Sequence, residues 1–234
     1  MILMDIQSVL ETDRRLLELF NGSNSVFLDG WMTTLTSGYT WIPLYFALLY
    51  LVIKNSETMS QILLVVGCAI LCVFLADGVA DYIVKPFVGR WRPSNDPLIK
   101  YSVSVVGGER GSDYGFFSAH AANTFSIAIF FCLLVRNRIM SIALIVWSLL
   151  NCYTRMYLGL HYPLDILCGL LWGATVGCSV YYMYYRIHKT TAQSDNFIST
   201  QYTPTGYNID DVDIVMLVLV VTFLYTIIRA VCIY

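Results

Sequence analysis

The chain has 234 residues, of which 57% are hydrophobic and only 13% are charged. Soluble domains carry about 25% charged residues, so this composition excludes an ordinary soluble protein and indicates an integral membrane protein. The formal net charge of −2 gives no bulk electrostatic attraction to nucleic acid. The length suits one domain, 1–234, with about five or six membrane spans, rather than two domains.

The first segment, 1–20, mixes acidic, basic and apolar side chains. It has no positive stretch followed by an apolar core, so we expect no cleavable secretion signal. Its apolar residues fit one face of an amphipathic helix. Such a helix either lies along the membrane surface or packs against the rest of the protein, and both placements stay open.

Apolar runs predict the membrane spans, which lie at 38–53, 60–84, 116–135, 139–157, 163–186 and 212–234. The first run is short, and an earlier start near Phe27 is an alternative. Between the spans lie a Pro- and Gly-rich loop at 85–115, a basic turn at 136–138 and a polar linker at 187–211. The predicted fold is an all-α polytopic bundle of about six transmembrane helices with an N-terminal amphipathic helix.

Basic residues set the expected orientation of the bundle. If the spans alternate, one face carries Lys54, Arg136, Arg138, Arg186 and Lys189. The other face carries Lys85, Arg90, Arg92, Lys100 and Arg110, which have a site to serve. We expect the first face to be cytoplasmic and the 85–115 loop to lie on the opposite face. The same alternation places Lys85, His120 and His161, each at the end of an apolar segment, together on the loop's face.

The first polar cluster contains Lys85 and Arg92. Lysine offers a compact charge and arginine a two-pronged donor, so both can bind one phosphate. The alternative is that both side chains extend to the membrane interface. Asp81 lies one helical turn before Lys85, and an acid within a span usually has a partner. We therefore predict that Asp81 pairs with Lys85 in a supporting role.

The second cluster, Phe117-Ser118-Ala119-His120, opens an apolar helix. Ser118 can cap that helix, whose first turn then offers free backbone N–H groups to an anion. His120 would be close enough to protonate a leaving oxygen. The alternative is a capping serine beside an interfacial histidine.

The third cluster contains Arg155, His161 and Asp165. Pro163 favours a first helical turn, so His161 precedes a helix and Asp165 lies within its first turn. We predict that Asp165 accepts a hydrogen bond from one imidazole nitrogen, which leaves the other nitrogen unprotonated as a nucleophile. Arg155, at the end of the preceding span, is predicted to contact the same phosphate. A purely structural His–Asp pair is the alternative.

In order and spacing, the three clusters resemble the motifs of the type-2 phosphatidic acid phosphatase family, also called lipid phosphate phosphatases. The resemblance covers about residues 75–185. The family's first motif is Lys, six residues, then Arg-Pro, and Lys85 with Arg92-Pro93 matches it fully. Three motifs in series make the resemblance specific.

The other two motifs carry substitutions. The family's Pro-Ser-Gly-His appears here with Phe117 and Ala119, and its Ser-Arg, five residues, His, three residues, Asp begins with Thr154. Thr154 keeps a hydroxyl, and Ala119 keeps a free backbone N–H with less conformational freedom. Phe117 replaces a rigid turn with apolar bulk, which puts substrate shape in question more than activity.

The resemblance implies a role for each motif residue. His161 attacks phosphorus and forms a phosphohistidine, Asp165 orients and polarises it, and His120 protonates the leaving group and later activates water. The residues implied to bind phosphate are Lys85, Arg92, Ser118 and Arg155. Three cations balance a phosphate monoester of about −1.5 to −2, so we expect no metal and no cofactor.

The expected function is a membrane lipid phosphatase whose partners are its lipid phosphate substrate and the surrounding membrane lipids. The small size resembles bacterial members, which act on undecaprenyl pyrophosphate, phosphatidylglycerophosphate, phosphatidic acid or the phosphates of lipid A, and the sequence does not select among them. This predicts a bacterial inner membrane location with a periplasmic active site. A lipid phosphotransferase using His161 and, more remotely, an anion transporter are the alternatives.

Overall fold

The computed structural model describes residues 2–108, 110–191 and 200–233, so part of the predicted polar linker, 192–199, lies outside the described residues. The described chain forms helices and no strand, which confirms the all-α class. The helices are α1 (Ile2–Phe20), α2 (Val26–Thr36), α3 (Ile42–Lys54), α4 (Met59–Gly78), α5 (Lys85–Val88), α6 (Ala119–Val135), α7 (Arg138–Tyr157), α8 (Pro163–Thr191) and α9 (Ile209–Ile233).

Several of these helices are long and apolar enough to cross a membrane. Four qualify on length and composition, namely Met59–Val88, Arg138–Tyr157, Pro163–His188 and Ile209–Cys232. Helices α2 and α3 together form one further candidate that is bent by 65°. Helix α6 is equally apolar but has only 17 residues. The described residues therefore contain four or five candidate spans, and the count of six stays a prediction.

The bend between α2 and α3 lies at Ser37, whose extended backbone (ψ 123°) interrupts the helix. The break frees backbone carbonyls, and these need new donors inside a membrane. Trp41 Nε1 donates to the oxygen of Leu35 at 2.9 Å, which satisfies one of them. The span predicted at 38–53 is therefore the second half of a broken helix that starts near Phe27, the alternative start considered above.

Helices α6 and α8 pack with their backbones unusually close. A Cβ atom added to Gly169, Gly173 or Gly177 of α8 would lie 2.6–2.7 Å from a backbone oxygen of α6. Small residues at i, i+4 spacing permit this approach between membrane helices. The contact brings the N-termini of α6 and α8 together, where the Ser118 amide donates to the Asp165 carbonyl at 3.1 Å. Two of the sequence motifs therefore meet at one end of the bundle.

Helix α1 packs against α7 and α8. Leu17 is buried in that contact and Glu18 is exposed, so the predicted amphipathic helix is confirmed and it contacts the bundle. Leu19 is 77% exposed, so part of the apolar surface of α1 is left uncovered by the bundle. Its position along the membrane surface stays a prediction.

The loop predicted at 85–115 begins at Gly89 instead, because Lys85–Val88 form α5. A π-helical turn, Val79–Val84, connects α4 to α5. Gly89 ends α5 in the left-handed conformation (φ 61°), which glycine adopts without strain. Further along, the loop folds back on itself, since the Gly115 amide donates to the Arg90 carbonyl at 2.9 Å. This fold covers the end of the bundle where the motifs meet.

Candidate active site

The predicted site residues converge on His161, which lies on the turn between α7 and α8 and is 2% exposed. Burial lowers the pKa of His161 well below its ordinary value of 6.5, and the charges of Arg92, Arg155, Lys85 and His120 lower it further. Desolvation and neighbouring cations both disfavour the imidazolium form. His161 is therefore neutral at physiological pH, and side chains from all three motifs lie within electrostatic reach of it.

The Nε2 atom of His161 faces Arg92. Arg92 Nη1 lies 2.8 Å from Nε2 and also donates to the Leu160 carbonyl at 3.1 Å. The other side of the guanidinium is held by Ser112, whose carbonyl accepts from Arg92 Nε at 2.8 Å. A guanidinium only donates, so we assign Nε2 as the unprotonated acceptor and Nδ1 as the protonated nitrogen. The unprotonated nitrogen thus points at Arg92, a cation that the motifs predict to bind phosphate.

The Nδ1 atom of His161 faces Asp165, but the predicted hydrogen bond is not formed. Nδ1 lies 3.7 Å from Asp165 Oδ2 and has no hydrogen-bond partner among the described residues. The physical reason is that the carboxylate already accepts elsewhere. Oδ2 accepts from the Tyr162 amide at 3.0 Å, and Oδ1 accepts from Arg90 Nη1 at 2.7 Å. Asp165 is fully buried, and its carboxylate lies beside the imidazole without a hydrogen bond to it.

Arg90 and Asp13 are two site residues that the motifs do not indicate. Arg90 Nη2 donates to Asp13 Oδ2 at 2.5 Å, and the guanidinium lies 4.1 Å from the ring centre of Tyr162. The side chain of Arg90 is only 14% exposed, although it lies in a polar loop. The sequence does contain a signal for Asp13. This acidic residue lies between Leu10 and Leu17 on the apolar face of α1, where a buried partner is expected.

Lys85 and Asp81 form an ion pair, which confirms the pairing predicted from their i, i+4 spacing. The side chain of Lys85 is 13% exposed at the end of the π-helical turn. Such turns occur often at functional sites, where they reposition a side chain by one residue. Asp77, one turn earlier, instead accepts a hydrogen bond from Asn123 of α6 at 2.9 Å.

Ser118 caps α6 as predicted, since its hydroxyl accepts from the Ala121 amide at 3.3 Å. Ser118 is fully buried, next to the first turn of α6 and its free N–H groups. His120 lies in that first turn, half-buried, and close enough to His161 to affect it electrostatically. The N-terminus of α6 and the second histidine therefore lie beside the nucleophile candidate.

Arg155 contributes through both its side chain and its backbone. Its Nη1 donates to Thr36 Oγ1 at 2.8 Å, next to the break between α2 and α3. Its carbonyl accepts from the amides of Leu160 and His161 at 3.0 and 3.2 Å. This tight turn requires Gly159 in the left-handed conformation (φ 68°). Arg155 therefore fixes the backbone position of His161 as well as adding a nearby positive charge.

Among the described residues, no group of three or more His, Cys, Asp or Glu side chains is placed to hold a metal ion. The expectation that the site uses neither metal nor cofactor stays a prediction.

Comparison with known proteins places the site in a family. Residues 61–189 match the family model described as the PAP2 superfamily. The chain is 41% identical over 193 residues to a lipid A 4′-phosphatase of Bacteroides thetaiotaomicron, covering 81% of this chain and 84% of that protein. It is 34% identical to a lipid A 4′-phosphatase of Porphyromonas gingivalis, covering 76% and 75%.

A solved structure shares the fold. The crystal structure of Aquifex aeolicus LpxE superimposes with a TM-score of 0.57 at 24% identity, covering 72% of this chain and 93% of that one. The resemblance to type-2 phosphatidic acid phosphatases is thereby confirmed, and the matched segment contains all three motifs, from Lys85 to Asp165. The helical fold, the converging motifs and these matches show that the chain belongs to the PAP2 superfamily.

Proposed function

We propose that this protein removes the 4′-phosphate of lipid A through a phosphohistidine on His161. The chain is an integral membrane lipid phosphate hydrolase, as its family and its relatives' activities support. Two relatives that align over most of their length are named lipid A 4′-phosphatases, which favours this substrate over the other lipid phosphates. The observation that carries the mechanism is the buried, neutral His161, whose Nε2 faces the guanidinium of Arg92 at 2.8 Å.

In the first step, Lys85, Arg92 and Arg155 bind the phosphate oxygens together with the N–H groups that begin α6. The lone pair of His161 Nε2 attacks phosphorus, and the bond from phosphorus to the sugar oxygen breaks. The bound phosphate brings negative charge beside His120 and favours its protonated form, and His120 gives this proton to the leaving oxygen, so the sugar departs as an alcohol. Cations fixed before the reaction stabilise the charge that develops on the phosphoryl oxygens.

In the second step, water cleaves the phosphohistidine. His120, now neutral, accepts a proton from the water, whose oxygen attacks phosphorus. The bond between phosphorus and Nε2 breaks, inorganic phosphate leaves, and His161 regains its lone pair. The phosphohistidine ring carries a positive charge between the two steps, and the buried carboxylate of Asp165 stabilises it from the Nδ1 side.

A cavity of about 350 Å³ beside the site suits a sugar head group. It lies between α1 and the loop after α5, and its charged and aromatic lining includes Arg14, Trp91, Asp96 and Tyr162. Sugars combine hydroxyl groups with apolar ring faces, so a lining of this kind can bind both. The cavity supports a substrate whose phosphate is attached to a sugar.

We further propose a bacterial inner membrane location with the site on the periplasmic face. The basic turn at 136–138 and Lys54 lie at the opposite ends of the helices from the motifs, as the positive-inside rule requires. In intact cells of a strain expressing the protein with its exposed native residues Cys178 and Cys232 replaced by serine, a membrane-impermeant maleimide is expected to label Ser102→Cys in the loop and not Glu57→Cys, which precedes α4. Labelling of Glu57→Cys alone would reverse the orientation.

Phosphate release from lipid A by the purified protein in detergent with EDTA tests the function. We expect release by the wild type, loss of the 4′-phosphate by mass spectrometry, and no release by His161→Ala. The matched control is His188→Ala, because His188 stacks on Tyr184 in α8, away from the site. Release by His161→Ala would exclude the mechanism, and a wild type active only on another lipid phosphate would exclude the substrate.

The same assay separates hydrolysis from phosphotransfer. With acceptor lipids present, a phosphotransferase would place the phosphoryl group on an acceptor hydroxyl instead of on water. We expect inorganic phosphate as the product.

A further inference from the structure

The carboxylate of Asp13 is buried at the site although it belongs to α1, outside the segment that matches the family model. Its side chain is 5% exposed. Oδ2 accepts from Arg90 Nη2 at 2.5 Å, and Oδ1 accepts from the Leu164 amide at 2.9 Å. Oδ1 therefore binds the start of α8, and Oδ2 binds the loop that follows α5.

Arg90 connects Asp13 to Asp165. One guanidinium nitrogen contacts Asp13, and the other contacts Asp165 Oδ1 at 2.7 Å. The planar, forked geometry of arginine permits both contacts at once, and the ring of Tyr162 supports the guanidinium at 4.1 Å. A single cation is thus shared between two buried carboxylates.

This sharing determines the charge beside His161. Two carboxylates and one guanidinium leave a net charge of −1 next to Nδ1. Without the carboxylate of Asp13, Arg90 would neutralise Asp165 and the net charge would be zero. A phosphohistidine ring is positively charged, so the remaining negative charge stabilises it, and weak solvent screening inside the protein strengthens the effect.

We propose that Asp13 is a positioning residue for phosphoryl transfer: by holding Arg90, it keeps the charge of Asp165 available to His161. The inference rests on the proposed phosphohistidine mechanism and extends it to a residue of α1. Asp13 touches no reacting atom, so its removal is expected to change the chemical step and leave substrate binding intact.

Asp13→Asn tests the role of the charge. We expect kcat on lipid A to fall by about tenfold or more with KM unchanged, because the interaction acts on the transition state and not on the bound substrate. Asp13→Glu, which restores the carboxylate, is expected to recover most of kcat. Glu18→Gln is the matched control, since it removes one exposed negative charge from the same helix and should leave kcat unchanged.

The double variant Asp13→Asn/Arg90→Gln separates charge from simple support. It restores the net charge of −1 beside His161, so its kcat is expected to exceed that of Asp13→Asn alone. A purely structural role for Asp13 predicts the reverse order, because two buried contacts are then lost instead of one. A double variant slower than Asp13→Asn would overturn the proposal.

Arg90→Lys provides an independent test if Asp13→Asn does not fold. Lysine keeps the charge but cannot contact both carboxylates with a planar fork. We expect a lower kcat with unchanged KM, and a wild-type kcat for Arg90→Lys would contradict the proposal. Thermal unfolding and gel filtration check the fold of each variant. Failure of the proposed function appears instead as a wild type that releases no phosphate from lipid A.

Discussion

The two ring nitrogens of His161 face regions of opposite charge. On the Nε2 side, Arg92 lies at 2.8 Å, with Lys85 and Arg155 nearby. On the Nδ1 side, Asp165 lies at 3.7 Å and shares its charge with Arg90. The cationic side keeps the imidazole neutral and is proposed to bind phosphate, whereas the anionic side is suited to the proposed cationic intermediate. The proposed mechanism therefore uses both sides of His161, and each side can be changed separately.

Neutralising the anionic side is expected to have the largest effect. In Asp165→Asn the shape of the side chain is kept but the buried negative charge is lost, and an amide can favour the wrong imidazole tautomer. By analogy with the aspartate of serine protease triads, we expect kcat to fall by about 10³–10⁴-fold. The steady-state rate of phosphate release measures this fall in kcat. A loss below tenfold would mean that the carboxylate at 3.7 Å has only a structural role.

Changing the geometry of the cationic side is expected to have the next largest effect. Arg92→Lys keeps the charge but loses the fork that contacts Nε2, the Leu160 carbonyl and Ser112 together. Removing one preorganised donor to a developing oxyanion costs about 10²–10³-fold in kcat. We expect the kcat of Arg92→Lys for lipid A dephosphorylation to fall by a factor in that range. Lys100→Arg, in the same loop but outside the motifs, is the control.

The packing that holds the anionic side is tested by Gly173→Ala in α8. The new Cβ would lie 2.6 Å from the Ala122 carbonyl of α6, so the two helices must separate. Overpacking of this kind typically costs about 1–3 kcal/mol, measurable as a lower unfolding temperature in detergent. Gly67→Ala in α4 is the control, because its Cβ meets nothing within 4 Å. Equal stability of the two variants would contradict the close contact between α6 and α8.

The smallest expected effect is a change in the pH dependence of kcat/KM, which depends on the pKa of His161. Burial and the charge of Arg92 lower the pKa of His161, so the neutral nucleophile persists in mild acid. At low pH, kcat/KM falls as His161 becomes protonated. The midpoint of this acid limb should therefore lie below pH 6.5, the ordinary pKa of histidine. Arg92→Gln removes a cation that disfavours imidazolium, so the pKa of His161 rises and the acid limb moves to higher pH. A limb that moves to lower pH would contradict this assignment.

The cationic side follows largely from the sequence. Lys85 and Arg92 belong to a motif with fixed spacing, and Ser118 and Pro163 mark helix starts through local capping preferences. The Asp81–Lys85 pair follows in the same way from helical periodicity, and the structure contains it. Local chemistry determines these features, so a single sequence is sufficient to predict them.

The anionic side depends on tertiary contacts that local patterns do not encode. Arg90 lies in a polar loop, yet it is buried because α1 folds over it with Asp13. The hydrogen bond from His161 to Asp165 was a reasonable prediction from spacing, but Arg90 and the Tyr162 amide occupy the carboxylate instead. The break at Ser37 is also outside the prediction, although a nearby side chain, Trp41, satisfies one of the carbonyls that it frees.

The most direct test of the central claim is to trap the phosphoryl group on the protein. The wild-type protein, with His161→Ala as the control, is mixed with lipid A labelled at the 4′-phosphate and quenched within one turnover in alkali, where phosphohistidine is stable. We predict that the label is found on the peptide that contains His161 and that it is lost in acid. Label on another residue, or phosphate release without any labelled protein, would contradict attack by His161.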